Sequence, residues 1–256
     1  MMQKTLRRAF RFEGVGLHTG KHATVEVAPA PPDTGIVFDL AGESRRVRVP
    51  ALSEFVTDTS RATVLGDAGA SVSTTEHLLA ALYASGIANA IIAVEGPEIP
   101  IADGSAREFV DAIERAGVKQ QDRRRAVVTV DEPFVVQSGD RLVAMLPSPA
   151  FRVRFVADFP PPIGTQYYYG EIGPEQFRDE IAGARTFGYL HEVEALRARG
   201  LALGGSLDNA LVFAPEGPMQ TLRWPNEVVR HKVLDLVGDL ALLGTWPLCE
   251  VVAIKS

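Results

Sequence analysis

His231-Lys232-Val233-Leu234-Asp235-Leu236-Val237-Gly238-Asp239 is the stretch on which the reading of this chain turns. It has the form H-K-x-x-D-x-x-G-D and lies in a strongly helical segment. Advancing roughly 100° per residue from His231 puts Asp235 at roughly 40°, Asp239 at roughly 80° and Lys232 at roughly 100°. Most other directions are apolar: Val229, Val233, Leu234, Leu236, Val237, Leu240, Ala241 and Leu243, with Arg230 the exception. A helix that is apolar nearly all round is a buried helix. A narrow wedge of His, Asp, Asp and Lys on such a helix is costly unless each charge has a partner, and a metal cation in a cleft meets that need. The plainer alternative is a solvated stripe with an i,i+4 His–Asp pair.

Far upstream stands Thr74-Thr75-Glu76-His77. Ser73-x-x-Glu76 fits a capping box, with Glu76 reaching back to the helix start, and His77 alone reads equally as a core histidine. Adjacent Glu and His at a helix start also point in neighbouring directions. One can then ligate a metal while the other faces the reacting water. Two imidazoles, a carboxylate one turn from one of them and an acid beside the other form the inventory of a catalytic zinc site with a general base.

Further motifs occur in a fixed order: Gly14-Val-Gly-Leu-His18-Thr-Gly20, Thr75-Glu-His77, Pro97-Glu-Ile-Pro-Ile-Ala-Asp-Gly-Ser105, Ala184-Arg-Thr-Phe-Gly188, Leu203-Gly-Gly-Ser206 and Arg230-His-Lys-x-x-Asp-x-x-Gly-Asp239. This series closely resembles the UDP-3-O-acyl-N-acetylglucosamine deacetylase family, the zinc amidases of bacterial lipid A synthesis. The resemblance runs from Thr5 to Ser256. It implies that His77, His231 and Asp235 ligate Zn2+ and that Glu76 is the general base. It implies that Thr186 helps hold the oxyanion and that Lys232 lies at the diphosphate and reaction centre. Asp239 matches an acid that orients a catalytic histidine. Lys255 and Phe159 match residues of the nucleotide region. Phe187, Leu203, Gly205, Ser206 and Ala210 are expected to contact substrate. A ligand role for His18 does not follow.

In the family, Lys-Ser is followed by Gly-His, whose histidine protonates the leaving amine; the sequence in hand ends at Ser256. None of its five histidines matches that position. The expectation is therefore a complete metal half of the mechanism with feeble turnover by this chain. A zinc-bearing homologue that binds UDP-acyl-sugar without efficient turnover is the alternative. A zinc peptidase is a weaker one, because it wants H-E-x-x-H on one helix.

Composition sets the outer bounds. The chain has 256 residues, 46% of them hydrophobic, and a formal net charge of −6, which argues against general nucleic-acid binding. Its one cysteine, Cys249, sits in an apolar run, so neither a disulfide framework nor a Cys-rich metal module is expected. The start lacks an apolar signal core, and the apolar run Leu78–Val94 is broken by Ser85-Gly86 and Asn89, so no transmembrane segment is expected. A cytoplasmic monomer acting on a UDP-linked acylated glucosamine is the resulting expectation.

Strand-like segments at Ala23–Val27, Gly35–Leu40, Arg45–Val49 and Arg61–Leu65 precede a helix at Thr74–Ser85, a strand at Ala90–Val94 and a helix at Ala106–Ala116. Gln120–Arg125 is polar and charged and reads as a solvated linker. The second half repeats the plan: strands at Ala126–Val130, Phe134–Gln137, Arg141–Leu146 and Arg152–Ala157, helices at Pro174–Ile181 and Asn226–Leu243, then a strand at Cys249–Ile254. Strands first and helices later, in each half, argue for an α+β fold with domains 1–122 and 126–256. The resemblance implies two related β-α-α-β domains packed helix to helix with zinc in the cleft between them. Segment 183–215 reads as a small βαβ excursion; by resemblance it is the insert that forms a hydrophobic tunnel for the acyl chain.

Overall fold

The computed structural model describes residues 1–42 and 44–255. Two sheets dominate it. The first runs Phe10–Val15, His22–Pro29, Ala90–Glu95, Ile36–Ala41, Arg46–Pro50, in that spatial order. The second runs Phe134–Ser138, Arg141–Pro147, Trp246–Ile254, Arg152–Asp158, Thr165–Glu171. Each opens with an antiparallel hairpin, and each places its own last strand in the middle. In each, that central strand runs parallel to one neighbour, Ile36–Ala41 or Arg152–Asp158. The two sheets therefore share one topology, as expected of two related α+β domains.

Five α-helices are assigned among the described residues: α1 at Glu76–Ala84, α2 at Arg107–Ala116, α3 at Pro174–Gln176, α4 at Leu190–Ala198 and α5 at Glu227–Ala241. The predicted helix at Pro174–Ile181 begins as α3 and continues as a π turn over Phe177–Ile181. Every residue of α1 is buried, and α5 buries ten, including His231. α1 and α5 pack directly on each other and precede the central strands of their respective sheets. One apolar core runs through both halves, from Phe38, Leu78 and Phe109 to Phe155, Val233 and Val251. Each large side chain fully buried there contributes about 1.5–3 kcal/mol of transfer free energy.

Two sequence expectations fail for identifiable reasons. Gln120–Arg125 is no linker: Val118–Arg124 is a strand, antiparallel to Met2–Leu6. Most of its side chains are exposed, because a two-stranded ribbon needs only its backbone ladder and leaves the side chains polar. Ser73 does not cap α1. That helix starts at Glu76 without a side-chain cap, and the Glu76 carboxylate accepts instead from the Thr63 backbone N–H at 3.1 Å.

The segment read as a βαβ excursion has that form. Phe187–Tyr189, α4 and Leu211–Ala214 follow in order, and the two strands pair in parallel. Tyr189, Leu211 and Phe213 join Ile163 and Val228 in a separate small core.

The helix pair approaches closely at one point. A Cβ on Gly238 would stand 2.2 Å from the Glu76 carbonyl oxygen, a backbone atom that cannot swing aside. Gly238→Ala should force α1 and α5 apart and cost about 1–3 kcal/mol of stability by overpacking. Equilibrium denaturation of the variant measures this; a change within experimental error would mean that the helices are not held at this separation.

Candidate active site

The helix pair brings together residues far apart in sequence. His77, in the first turn of α1, and His231, one turn before Asp235 on α5, meet with ring centroids 5.0 Å apart and planes at 85°. Asp235 Oδ1 lies 3.4 Å from His231 Nε2 and 3.7 Å from His77 Nε2. One donor atom from each of these three residues falls within 4.8 Å of the others, the only such grouping of three or more among the described residues.

The donor set suits a metal. His231 Nδ1 stands 2.9 Å from the carbonyl oxygen of Ala184, which fixes the ring and leaves Nε2 for the cleft. Burial, with the neighbouring His231, lowers the His77 pKa to about 3, so its imidazole is neutral and offers a lone pair. Burial works against the Asp235 carboxylate, yet His231, Lys232 and His77 hold its pKa below the ordinary value. Two imidazoles and one carboxylate, with further room in the cleft, form a zinc-type set. Glu76, Asp235 and Asp239 share the cleft with Lys232, 3.2 Å from Asp235, and with Arg61, whose guanidinium pairs with Glu192 at 3.6 Å. A dication there would favour the ionised forms of all three acids.

Glu76 is nearly inaccessible, and burial, followed by the charge of Asp235, pushes its carboxyl up to about 8. Asp239 opens onto the cleft; loss of surrounding water raises its pKa to about 6, against a hydrogen bond from Thr63 Oγ1 at 2.8 Å. Thr63 therefore serves both acids, its N–H on Glu76 and its hydroxyl on Asp239. Nothing in the sequence marks Thr63, because both contacts are set by folding.

A cleft of about 530 Å³ is lined by Glu76, His231, Lys232, Asp235 and Asp239, with Phe159, Thr186 and Phe187 on its walls. Phe159 and Phe187 meet edge to face at 5.1 Å, and Phe187 also faces His231. Phe159 and Lys232 reach on into a neighbouring recess of about 320 Å³ that holds Lys255. There the Lys255 ammonium is shared between Asp140 at 3.0 Å and Asp158 at 2.8 Å. Leu203, Gly205, Ser206 and Ala210 stand outside the lining of the main cleft. Their loop packs on the Gly14–Gly20 segment, with the Leu203 N–H donating to the His18 carbonyl at 3.1 Å. His18 itself stays outside the donor cluster.

Thr186 is pinned on both sides. Its N–H donates to Gly104 O and its carbonyl accepts from Leu211 N, each at 2.7 Å. Gly104 has φ +88°, and a Cβ there would stand 2.2 Å from the Asn209 carbonyl, so only glycine fits. Next to Thr186, the Arg185 guanidinium grips the Glu227 carboxylate with two bonds, of 2.9 and 3.2 Å. The same fully buried carboxylate accepts the N–H groups of Arg185 and Arg223. It sits in the first turn of α5, where the helix dipole favours an anion. Sequence reading passed over this pair; the acid at the helix start was its one signal. Glu227→Ala leaves a buried guanidinium and two N–H groups unpaired and should cost about 3–5 kcal/mol. Thermal and urea unfolding measure the loss, and a cost below about 1 kcal/mol, the surface-pair range, would mean that the carboxylate does not hold this wall.

The geometry can be set beside known proteins. The sequence pattern of the family described as UDP-3-O-acyl N-acetylglycosamine deacetylase matches residues 3–256. A UDP-3-O-acyl-N-acetylglucosamine deacetylase of Syntrophotalea carbinolica is 48% identical, covering 99% of this chain and 83% of the relative. Deacetylases of the same name from Phenylobacterium zucineum and Myxococcus xanthus are 48% and 42% identical, covering 95% and 99% of this chain and 85% and 82% of the relatives. With a match over nearly its whole length and a His–His–Asp cluster beside a buried glutamate, this chain belongs to the UDP-3-O-acyl N-acetylglycosamine deacetylase family.

Proposed function

We propose that this deacetylase hydrolyses the 2-acetamido group of UDP-3-O-acyl-N-acetylglucosamine in lipid A synthesis, with zinc held by His77, His231 and Asp235. The observation that carries the reading is the convergence of those three side chains next to Glu76, within a chain of this family. Residues 1–122 and 126–256 are read as its two domains, each with its own sheet of the same strand order.

Zinc, when bound, would supply a Lewis acid that acidifies water and polarises the amide carbonyl. The remaining work falls to side chains. Glu76 takes a proton from the attacking water as the water oxygen bonds to the acetyl carbon. Thr186, pinned on its wall, and Lys232, across the cleft, stabilise the negative charge on the acetyl oxygen. The carbon–nitrogen bond then breaks, and Glu76 returns its proton to the sugar amine, giving acetate and free amine. A base so placed contributes about 10²–10⁴-fold.

The rest of the substrate extends both ways from this point. The recess shared by Phe159, Lys232 and Lys255 suits the UDP part, whose diphosphate competes with Asp140 and Asp158 for the Lys255 ammonium. The acyl chain lies against the insert, where Leu203 and Leu207 are half exposed near the Gly14–Gly20 segment. Each acyl methylene buried there contributes about 0.8 kcal/mol.

Purified protein should carry about one zinc per chain. His77→Ala, His231→Ala and Asp235→Ala should each lose it, as read by elemental analysis. Glu76→Gln should retain zinc and lower the deacetylation rate at least about 10²-fold. Full metal content in all three ligand variants would refute the ligand set; a normal rate in Glu76→Gln would refute the base. Leu203→Glu should weaken binding of long-acyl substrate more than binding of UDP-N-acetylglucosamine. Calorimetry of both ligands decides this, and equal losses would confine Leu203 to local packing.

A further inference from the structure

Beside the C-terminal ends of α1 and α5 lies a second cavity, of about 300 Å³, whose lining shares no residue with that of the cleft. Along α1, Glu76 of the cleft and Tyr83 of the cavity stand about 10 Å apart. Arg125 opens into the cavity and is only 9% exposed. Its guanidinium is stacked on two aromatic faces, 4.6 Å from the Trp246 ring centroid and 5.1 Å from that of Tyr83. Among the described residues it makes no side-chain hydrogen bond and no ion pair. The backbone of Arg125 is held independently, its N–H on Met1 O at 3.2 Å, so the guanidinium is not placed there to anchor the chain.

The neighbouring polar groups are already committed. Asn89 donates to Gln3 and Gln121 and accepts from Gly35 N. Asp33, the one carboxylate in the lining, is turned to Gln3 Nε2 at 2.6 Å and to Arg123 at 3.5 Å. Tyr83 gives its hydroxyl proton to the Thr245 carbonyl. The remaining wall is aliphatic, with Ile36, Leu52, Leu79 and Ile87. A buried guanidinium has five donors and a large desolvation cost, and it is ordinarily matched by an acid. Among the described residues no acid forms an ion pair with Arg125.

We propose that this cavity is a second ligand site, taking a small carboxylate with an aliphatic body. Aromatic rings on the faces of the guanidinium leave its edge as the open approach, and a planar carboxylate matches that edge with two parallel bonds. The aliphatic wall favours a monoanion with a hydrocarbon tail over a strongly hydrated phosphate dianion.

The test uses the side-chain N–H signals of the two tryptophans, Trp224 and Trp246, in ¹⁵N-labelled protein, assigned with a Trp224→Phe variant. Trp224 packs on Arg230 at the other end of α5 and reports on that end. Hexanoate should move the Trp246 signal saturably and leave Trp224 in place. Hexanamide and inorganic phosphate should each bind at least tenfold more weakly. Arg125→Met should weaken hexanoate at least tenfold. Arg125→Lys keeps the charge but loses the fork, and should weaken hexanoate at least threefold; it serves if Arg125→Met does not fold. Hexanamide binding as well as hexanoate would reduce the site to an apolar hollow and overturn the proposal. So would equal binding of phosphate, a shift of Trp224 alone, no shift of Trp246, or full affinity in both Arg125 variants.

Discussion

The contact of α1 with α5 is the constraint on which everything else rests. Gly238 lets the Glu76 backbone approach so closely that a histidine from one half and a histidine–aspartate pair from the other share one point. Neither helix has a site alone: His77 on α1 lacks a second imidazole, and the His231–Asp235 pair on α5 lacks a base. Helix packing serves here as chemistry. A small shift of one helix along the other would separate donor atoms that now lie within 4.8 Å.

Around that contact, walls are fixed by polar groups that have no part in the reaction. Glu227 holds Arg185 and, through it, the segment that carries Thr186. Glu98, fully buried, accepts from the backbone N–H groups of His18 and Thr19 and from the Thr74 hydroxyl, which ties the Gly14–Gly20 segment to the approach of α1. Both acids are completely satisfied, which is what permits them to be buried. The acids of the cleft are different. Glu76 and Asp239 are held away from their ordinary titration by lost solvent, the condition of groups that await a ligand.

The helix-borne part of this arrangement was legible in the sequence, because periodicity reports burial directly. The wedge on α5 and the pair Glu76-His77 stood out as polar groups in apolar surroundings. The donor convergence could be expected only from the motif series, since no spacing rule brings Thr75-Glu-His77 to residue 231. Hydrogen-bonding partners such as Thr63 were not legible, because a threonine just ahead of a short strand carries no distinctive pattern. Val118–Arg124 was misread for a related reason: a ribbon whose side chains face water has the composition of a linker. Met2–Leu6, Phe10–Val15 and Thr165–Glu171 were passed over altogether. The topological likeness of the two sheets was visible only as a shared order of strands and helices. Sheet topology resides in pairing, which different side chains can support equally well.

Placing the last strand of each sheet at its centre has a consequence for biosynthesis. Arg141–Pro147 and Arg152–Asp158 both pair with Trp246–Ile254 and not with each other. On a ribosome the first half can close its sheet once Ala90–Glu95 has emerged, while more than half of the chain is still to be made. The second half must wait, for about a hundred residues of elongation, with two strand edges open to any passing chain. Synthesis at about 5–20 residues per second makes that interval several seconds long. The slow step in making this protein is thus built into its topology, and the longer exposure falls on the second half, since the first waits only about fifty residues for Ala90–Glu95.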